Sequence, residues 1–324
     1  MAFPSCFTRP LPLLVVLGFI AACSVSGNQA SVTTDTTMES LVTAEWLVAH
    51  LNDPDLVVLD CTVLVEPDGQ GGFSSQSGKT KYDEGHIPTA GFADLMGALS
   101  DNDSQLQFAL PTPEQFAAAM SALGVSDDSR VVLYDAGGSA WAARVWWMLR
   151  WIGFDRAALL DGGLEAWTAL GQPLSTETVS RPAAKLTVAL RPELIADKDE
   201  LLASIGDDSV NIVDALPETY YRGETSMYAR PGHITGASNV SMMSLMDETG
   251  RYRPQGELEK LFAGDRDARS ITYCGGGIAA SANAFVMTRL GYENVAVYTA
   301  SLQEWAADES LPMEVAPDLE ANDK

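Results

Sequence analysis

Short apolar runs alternate along the chain with longer segments whose apolar positions recur at helical spacing. The short runs are rich in Val, Leu and Ile and are typical of strands buried on both faces: residues 57–60, 131–135, 159–160, 211–214, 270–273 and 297–299. Helical spacing occurs at residues 43–51, 113–123, 140–151, 194–205, 256–263 and 279–290. Gly153 and Gly291 follow two of these segments, where a helix commonly ends in a left-handed residue. The alternation predicts an α/β fold in which parallel sheets carry helices on both faces.

The pattern occurs twice. Four motifs recur in the same order, 138 to 154 residues apart, and their paired positions are Asp60 and Asp214, His86 and His233, Asp135 and Cys274, and Trp167 and Trp305. Such order predicts a duplicated unit. We expect an N-terminal domain at 41–171, a proline-containing linker at 172–192, a C-terminal domain at 193–315 and an acidic tail at 316–324.

The first 22 residues have the pattern of a secretory signal. One arginine, Arg9, precedes an apolar run at 11–20 that is too short to span a bilayer. The run ends in Ile-Ala-Ala-Cys, which resembles a bacterial lipobox with Cys23 as the lipidated residue; an ordinary signal peptide is the alternative. Residues 23–40 are polar and predict a flexible tether. The resemblance implies a protein lipid-anchored on the periplasmic side of the cell envelope, at the outer membrane because Ser24 follows the cysteine.

Composition narrows the range of partners. The 324 residues are 46% hydrophobic, as in globular proteins, and suffice for two domains with their own cores. The formal charge is −24, which argues against nucleic acid but leaves small anions open. The three histidines lie in separate elements and no cysteines are closely paired, so we expect no metal and no cofactor. Cys6 leaves with the signal, and Cys61 is interpreted as a small buried side chain.

The chemistry is concentrated in one loop. Strand 270–273 runs into Cys274, three glycines (Gly275, Gly276 and Gly277) and then Ile278 and Ala279, where a helix begins. Consecutive glycines allow backbone N–H groups to point inward, and the helix N-terminus adds to the stabilisation of negative charge. A thiolate held in this way is a nucleophile for sulfur or phosphorus. The alternative is a glycine-rich turn with an inert, buried cysteine.

With these motifs the sequence resembles the two-domain rhodaneses, which are thiosulfate or 3-mercaptopyruvate sulfurtransferases. The resemblance covers residues 41–313, and it rests on Gly-His-Ile-Pro at 85–88, Asp-Gly-Gly-Leu-Glu-Ala-Trp at 161–167, Tyr-Arg-Gly-Glu at 221–224 and the loop 274–280. It implies two tandem rhodanese-like domains, a site near their interface, and transfer of a sulfane sulfur through a persulfide on Cys274. Residues 275–279 would bind the substrate anion.

The resemblance also assigns roles to other residues. The loop of the first copy begins with Asp135, which cannot carry a persulfide, so the N-terminal domain is expected to be inactive. Arg222 matches the family's substrate-binding arginine, and Arg230 is a second candidate, because a guanidinium fork suits carboxylate or sulfonate oxygens. Glu224 would orient one of them. His86 and His233 recur in both copies and are therefore interpreted as structural.

The donor and the reaction class leave alternatives open. The loop has neither the basic pair that is common in thiosulfate-specific relatives nor the serine of mercaptopyruvate-specific ones. We favour thiosulfate, because sulfite leaves as an anion without protonation, with cyanide or a thiol as acceptor. The alternatives are a 3-mercaptopyruvate sulfurtransferase and a non-enzymatic persulfide carrier. A Cys-x5-Arg phosphatase is disfavoured, because the sixth residue after the cysteine is Ala280. We expect a monomer.

Overall fold

The computed structural model describes residues 1–2, 38–69 and 72–315. The predicted signal peptide beyond its first two residues, Cys23, most of the tether and the acidic tail lie outside this part of the chain. In the ranges that are described, no helix has the length and apolar character needed to cross a membrane.

The described residues of the first half form seven strands and five helices. The strands are β1 (Leu41–Val42), β2 (Leu56–Asp60), β3 (Val63–Pro67), β4 (Phe73–Ser77), β5 (Gly91–Phe92), β6 (Arg130–Tyr134) and β7 (Ala157–Leu160). The helices are α1 (Ala44–His50), α2 (Lys79–Glu84), α3 (Pro113–Ala122), α4 (Ala140–Trp151) and α5 (Gly163–Ala169).

The second half repeats most of this order. Its strands are β8 (Ile195–Ala196), β9 (Val210–Asp214), β10 (His233–Ile234), β11 (Ser238–Asn239), β12 (Arg269–Tyr273), β13 (Asn294–Tyr298) and β14 (Met313–Glu314). Its helices are α6 (Lys198–Ser204), α7 (Glu218–Tyr221), α8 (Gln255–Leu258), α9 (Ile278–Arg289) and α10 (Ser301–Trp305), and short 3-10 turns lie at Pro192–Leu194 and Met242–Leu245.

Each half is built on a five-stranded parallel sheet. The strand order is β1-β7-β6-β2-β5 in the first half and β8-β13-β12-β9-β11 in the second. Each strand of one sheet therefore has its counterpart at the same position in the other. The prediction of two α/β domains with parallel sheets is confirmed, and the shared order is what duplication of one unit produces.

Some predicted elements differ from the observed ones. The helix expected at 194–205 begins only at Lys198, because Asp197 caps it and the two residues of β8 pair with β13 at the sheet edge. The helix expected at 256–263 is the single turn α8, which contains the poor helix former Gly256.

The hairpin of β3 and β4 was not predicted and has no counterpart in the second half. Residues 172–191 contain no helix and no strand.

The repeated motifs explain how each sheet holds its loops. Asp60 lies opposite Tyr134 in the first sheet, and Asp214 lies opposite Tyr273 in the second. Each tyrosine oxygen accepts a hydrogen bond from the backbone N–H of the isoleucine that follows the repeated histidine, at 3.1 Å and 3.0 Å. The Gly-His-Ile motif is thus tied to the central strand in both halves.

The largest apolar cluster joins the two halves. It includes residues of both sheets together with α4 and α9, which pack directly against each other. Trp146 meets Phe285 edge-on with ring centroids 4.8 Å apart, and Arg150 donates a 3.1 Å hydrogen bond to the hydroxyl of Thr288. An interface with the character of a core holds its two sides in a fixed relation. Residues of one half can therefore be positioned reliably at a site in the other.

Candidate active site

Cys274 lies at the carboxyl end of β12, where a loop of three glycines leads into α9. Its side chain is 2% exposed, and its Sγ accepts a hydrogen bond of 3.2 Å from the backbone N–H of Gly277. Gly277 caps α9 with φ +81°, a left-handed conformation that glycine adopts without strain. Ile278 and Ala279 form the first turn of α9, so the positive end of the helix dipole stabilises negative charge on the sulfur.

The first turn of α10 holds this loop in place. The backbone N–H groups of Leu302 and Gln303 donate to the carbonyls of Cys274 and Gly275, both at 3.1 Å. The hydroxyl of Ser301 accepts a 3.1 Å hydrogen bond from the backbone N–H of Cys274, and it donates to a carbonyl three residues earlier at 2.7 Å. The loop is therefore anchored even though the second copy lacks the Gly-Gly of the first at this position.

Two side chains lie so close to the loop that only glycine fits beneath them. A Cβ at Gly275 would lie 1.7 Å from the hydroxyl oxygen of Tyr228, and a Cβ at Gly276 would lie 2.2 Å from Nε2 of Gln303. The amide of Gln303 pairs with the backbone of Gln107 in the first half, accepting from its N–H at 2.8 Å and donating to its carbonyl at 3.3 Å. The first half thus reaches the edge of the cysteine loop.

Tyr228 was not predicted from the sequence. Burial raises the pKa of Tyr228, and the nearby charge of Cys274 raises it further, so the hydroxyl remains protonated at neutral pH. Its oxygen makes no hydrogen bond with another described residue. The arrangement places an O–H donor beside the residue that follows Cys274, in a loop that has no hydroxyl of its own.

Arg144 was also missed. It belongs to α4 of the first half and is 1% exposed, yet its Nη1 lies 2.9 Å from where a Cβ of Gly277 would stand. The signal that could have identified it is a charge within the otherwise apolar run at 140–149. A side chain of the first half therefore approaches the N-terminus of α9 in the second.

The two predicted substrate arginines have different surroundings. Arg222 ends α7, and its Nε donates a 2.8 Å hydrogen bond to Glu224, as expected of an orienting carboxylate. Arg230 instead donates to four backbone carbonyls at 2.7 to 3.0 Å, those of Trp305, Ala306, Asp308 and Leu311. These bonds occupy the guanidinium, so we assign Arg230 a structural role, which differs from the role predicted for it.

In the corresponding loop of the first half, backbone amides bind the carboxylate of Asp135. Asp135 is buried, and its carboxylate accepts hydrogen bonds of 3.0 Å from the backbone N–H groups of Gly137, Ser139 and Ala142. Burial raises the pKa of Asp135 to about 6, against the lowering effect of these three bonds. A cavity of about 80 Å³ lies beside the loop. The Asp135 carboxylate therefore occupies the position among these amides where a substrate anion would have to bind.

The repeated histidines are fixed by backbone oxygens. Nδ1 of His86 lies 2.8 Å from the carbonyl of Tyr82, and Nδ1 of His233 lies 2.7 Å from that of Tyr221. Both rings also stack on these tyrosines, with centroids 3.8 Å and 3.7 Å apart. The same contacts in both halves support the structural interpretation. Across the described ranges, no three metal-ligating side chains are grouped to hold an ion.

Comparison with known proteins adds to this geometry. The family model of the Rhodanese-like domain matches residues 43–170 and 197–308, which are the two halves described above. A curated relative named 3-mercaptopyruvate sulfurtransferase, from Escherichia coli, is 34% identical over 279 residues, covering 84% of this chain and 97% of that protein. The thiosulfate sulfurtransferase of Azotobacter vinelandii is 32% identical over 275 residues, covering 83% of this chain and 94% of that protein.

A solved structure gives the same result. The crystal structure of SseA from Escherichia coli, described as having the rhodanese fold of 3-mercaptopyruvate sulfotransferases, matches with a TM-score of 0.72 and 33% identity. The match covers 82% of this chain and 99% of the other. The fold and the duplicated sequence therefore lead to the same family.

Proposed function

Because this chain belongs to the rhodanese family and is a rhodanese-type sulfurtransferase, we propose that Cys274 carries the transferred sulfur as a persulfide. The observation that supports this is the hydrogen bond from Gly277 to the Cys274 sulfur at the N-terminus of α9. Within the described ranges the other cysteine is Cys61, whose pKa burial raises well above its ordinary value. Cys61 therefore stays a protonated, inert thiol.

The proposed reaction consists of two successive displacements at sulfur. The Cys274 thiolate attacks the outer sulfur of thiosulfate, a new S–S bond forms, the old one breaks, and sulfite departs with the electron pair. A thiophilic acceptor such as cyanide then attacks the outer sulfur of the persulfide, giving thiocyanate and restoring the thiolate. The amide of Gly277 stabilises the negative charge that remains on sulfur throughout.

Thiosulfate is the donor that requires no proton donor in this loop, because sulfite leaves as an anion without being protonated. Arg222, held by Glu224, is the proposed partner of the donor's negative oxygens.

3-Mercaptopyruvate is the second candidate, and one observation favours it. The departing carbon of this donor must receive a proton, and the Tyr228 hydroxyl stands beside the loop as a donor. Relatives carrying both donor names match this chain over more than four-fifths of its length.

A two-donor assay decides between the candidates. Thiocyanate formation is measured from each donor in wild type, Tyr228→Phe and the control Tyr220→Phe. With thiosulfate as donor, we expect Tyr228→Phe to keep wild-type turnover. If mercaptopyruvate is the faster donor and Tyr228→Phe lowers its turnover about tenfold or more, with Tyr220→Phe unchanged, the second candidate replaces the first.

The persulfide itself is tested with Cys274→Ser. Sulfur transfer from either donor should fall by at least about a thousandfold, because serine cannot form the intermediate. Thermal unfolding should remain near that of wild type, since the oxygen still fits the small buried site. Transfer that survives the substitution contradicts the mechanism, and stoichiometric sulfur loading without repeated turnover in wild type would indicate a carrier.

We also propose that Cys23 is lipidated and anchors the protein on the periplasmic side of the envelope. The support is the sequence Ile-Ala-Ala-Cys after an apolar run and the polar segment that follows. Metabolic labelling with a fatty acid should mark the wild type and leave Cys23→Ser unlabelled and released from the membrane fraction. Labelling that persists in Cys23→Ser contradicts the anchor.

A further inference from the structure

We infer that Arg144 of the first half is the counter-ion of the sulfur anion on Cys274, so that helix α4 of the first half completes the site in the second half. The inference rests on the proposed persulfide chemistry and adds a positioning residue to it. It does not depend on which donor is used, since the charge in question is on the enzyme's sulfur.

Arg144 is buried, and among the described residues no carboxylate lies beside it. The side chain is 1% exposed; its Nη2 donates a 3.0 Å hydrogen bond to the carbonyl of Phe108, and its guanidinium carbon lies 5.3 Å from the ring centroid of Trp147. Nη1 has no hydrogen-bond partner among the described residues. A buried charge of this kind is costly unless an opposite charge lies near it.

Cys274 supplies this opposite charge when its sulfur is ionised. Burial lowers the pKa of Arg144 to about 10, and the charge of Cys274 works in the opposite direction. Among the described residues, Cys274 is the ionisable group that stabilises the guanidinium in this way. Arg144 therefore remains charged at neutral pH and faces an anion only when the sulfur is a thiolate or a persulfide.

The guanidinium lies beside the residue that donates a hydrogen bond to the sulfur. The unpartnered Nη1 lies against Gly277, whose backbone N–H donates to the Cys274 sulfur. Phe108, whose carbonyl holds the other nitrogen, has φ +57°, a conformation that is costly for a bulky residue. Backbone strain of this kind persists where surrounding structure enforces it, and here it aims a carbonyl at Arg144.

The duplicated helices α4 and α9 differ at the position of Arg144. Arg144 is the fifth residue after Ser139, the N-cap of α4, and the fifth residue after Gly277, the N-cap of α9, is Ala282. Helix α4 thus places the guanidinium of Arg144 near the cysteine loop, whereas α9 has only the methyl group of Ala282 at the matching position. The two loops differ in the same way. Asp135 accepts hydrogen bonds from three amides of its own loop and helix, and so needs no cation from the other half.

Alkylation of Cys274 by iodoacetamide, followed by peptide mass over a range of pH, tests the inference. The backbone N–H of Gly277 donates to this sulfur and the hydroxyl of Tyr228 lies near it, and the substitution removes neither group. In Arg144→Met the midpoint of the alkylation profile should rise by about one pH unit, which slows alkylation at neutral pH about tenfold. Arg144→Lys should restore most of the wild-type profile.

The control is Arg150→Met, which removes a charge from the same helix and the same interface, where the guanidinium contacts Thr288 and Asp155. Its alkylation profile should match wild type. If Arg144→Met does not fold, Arg144→Gln takes its place, because glutamine keeps an N–H for the Phe108 carbonyl but no charge.

Catalytic rates give a second readout. The inference predicts that Arg144→Met lowers kcat/KM for both donors by the same factor. A folded neutral variant with the wild-type alkylation profile overturns it, as does a loss confined to the KM of one donor, which would make Arg144 a substrate ligand. Alkylation needs no sulfur donor. If wild type transferred no sulfur while Arg144→Met still shifted the alkylation profile, only the proposed function would be contradicted.

Discussion

The loops that follow β6 and β12 occupy equivalent places in the two halves, but they neutralise charge in different ways. The first begins with Asp135, whose carboxylate is satisfied by three amides of its own loop and helix. The second begins with Cys274, whose sulfur receives one amide bond, from Gly277. One loop is complete in itself, and the other leaves its sulfur open to further partners.

The extra residue of the first loop accounts for part of this difference. Four residues separate Asp135 from α4, whereas three separate Cys274 from α9. The longer loop curls around the carboxylate, so that its amides converge on two fixed oxygens. The shorter one is all glycine and lets Tyr228 and Gln303 approach its backbone. From the same unit, duplication has thus produced one loop that satisfies its own carboxylate and one loop whose cysteine sulfur receives a single amide bond.

The largest expected effect is on stability, from Asp135→Ala. Three buried N–H groups would lose their acceptor, so the free energy of unfolding should fall by about 2–4 kcal/mol, as measured by urea denaturation. Sulfur transfer per folded molecule should stay within about twofold of wild type, because Cys274 keeps its own contacts.

Asp128→Ala is the matched control, because it removes an exposed carboxylate of the same half. It should change the free energy of unfolding by less than about 0.5 kcal/mol. If Asp135→Ala were as stable as this control, the carboxylate would not be what holds the first loop. A large loss of transfer with an intact fold would show that the first loop takes part in catalysis.

The contrast between the loops also shows what the sequence could reveal. Cys274, its glycines and the helix behind them are consecutive, so the amide environment of the sulfur could be predicted from local sequence. Arg144 and Tyr228 lie 130 and 46 residues from the cysteine, and they reach it through the packing of α4 on α9 and the loop after α7. A local pattern can mark Arg144 as a charge within an apolar helix, but it does not encode the contact with the cysteine loop.

Arg230 is the reverse case, a residue that the sequence suggested as an anion ligand but whose hydrogen bonds are structural. An arginine before a Gly-His-Ile motif suggested an anion ligand, but the structure shows its guanidinium donating to carbonyls 75 to 81 residues away. Sequence can indicate that a charge is present near a site, but hydrogen-bond partners on a distant loop decide whether that charge is available. The fold itself was easier to predict, because the two sheets follow from local strand and helix patterns that occur twice.

The next effect is the pH dependence of stability. Burial raises the pKa of Asp135 to about 6 in the folded protein, above its ordinary value of 3.8, so the folded state binds this proton more tightly than the unfolded state. The resulting stabilisation is complete below about pH 4 and is lost as the pH rises through about 6. In Asp135→Asn the position cannot titrate, and this part of the pH dependence disappears.

Urea denaturation of both proteins across this range gives the difference in unfolding free energy. Asp214, whose pKa burial also raises to about 6, titrates in both proteins and cancels. The difference, wild type minus variant, should therefore decrease between about pH 4 and 6 and be level above it. A difference that stays constant across this range would mean that the three amide bonds outweigh burial and keep the carboxylate ionised.

The smallest effect concerns the residue that anchors each loop from behind. Gly163 and Ser301 both begin the supporting helix with φ +54°, but the serine hydroxyl also accepts the Cys274 N–H. Ser301→Ala keeps the left-handed strain and loses that bond, which should cost about 1–2 kcal/mol of unfolding free energy. Ser301→Gly loses the same bond but relieves the strain, so it should be about 1 kcal/mol more stable than the alanine variant. Equal stabilities for the two variants would mean that the hydrogen bond alone, and not the backbone conformation, distinguishes the second loop from the first.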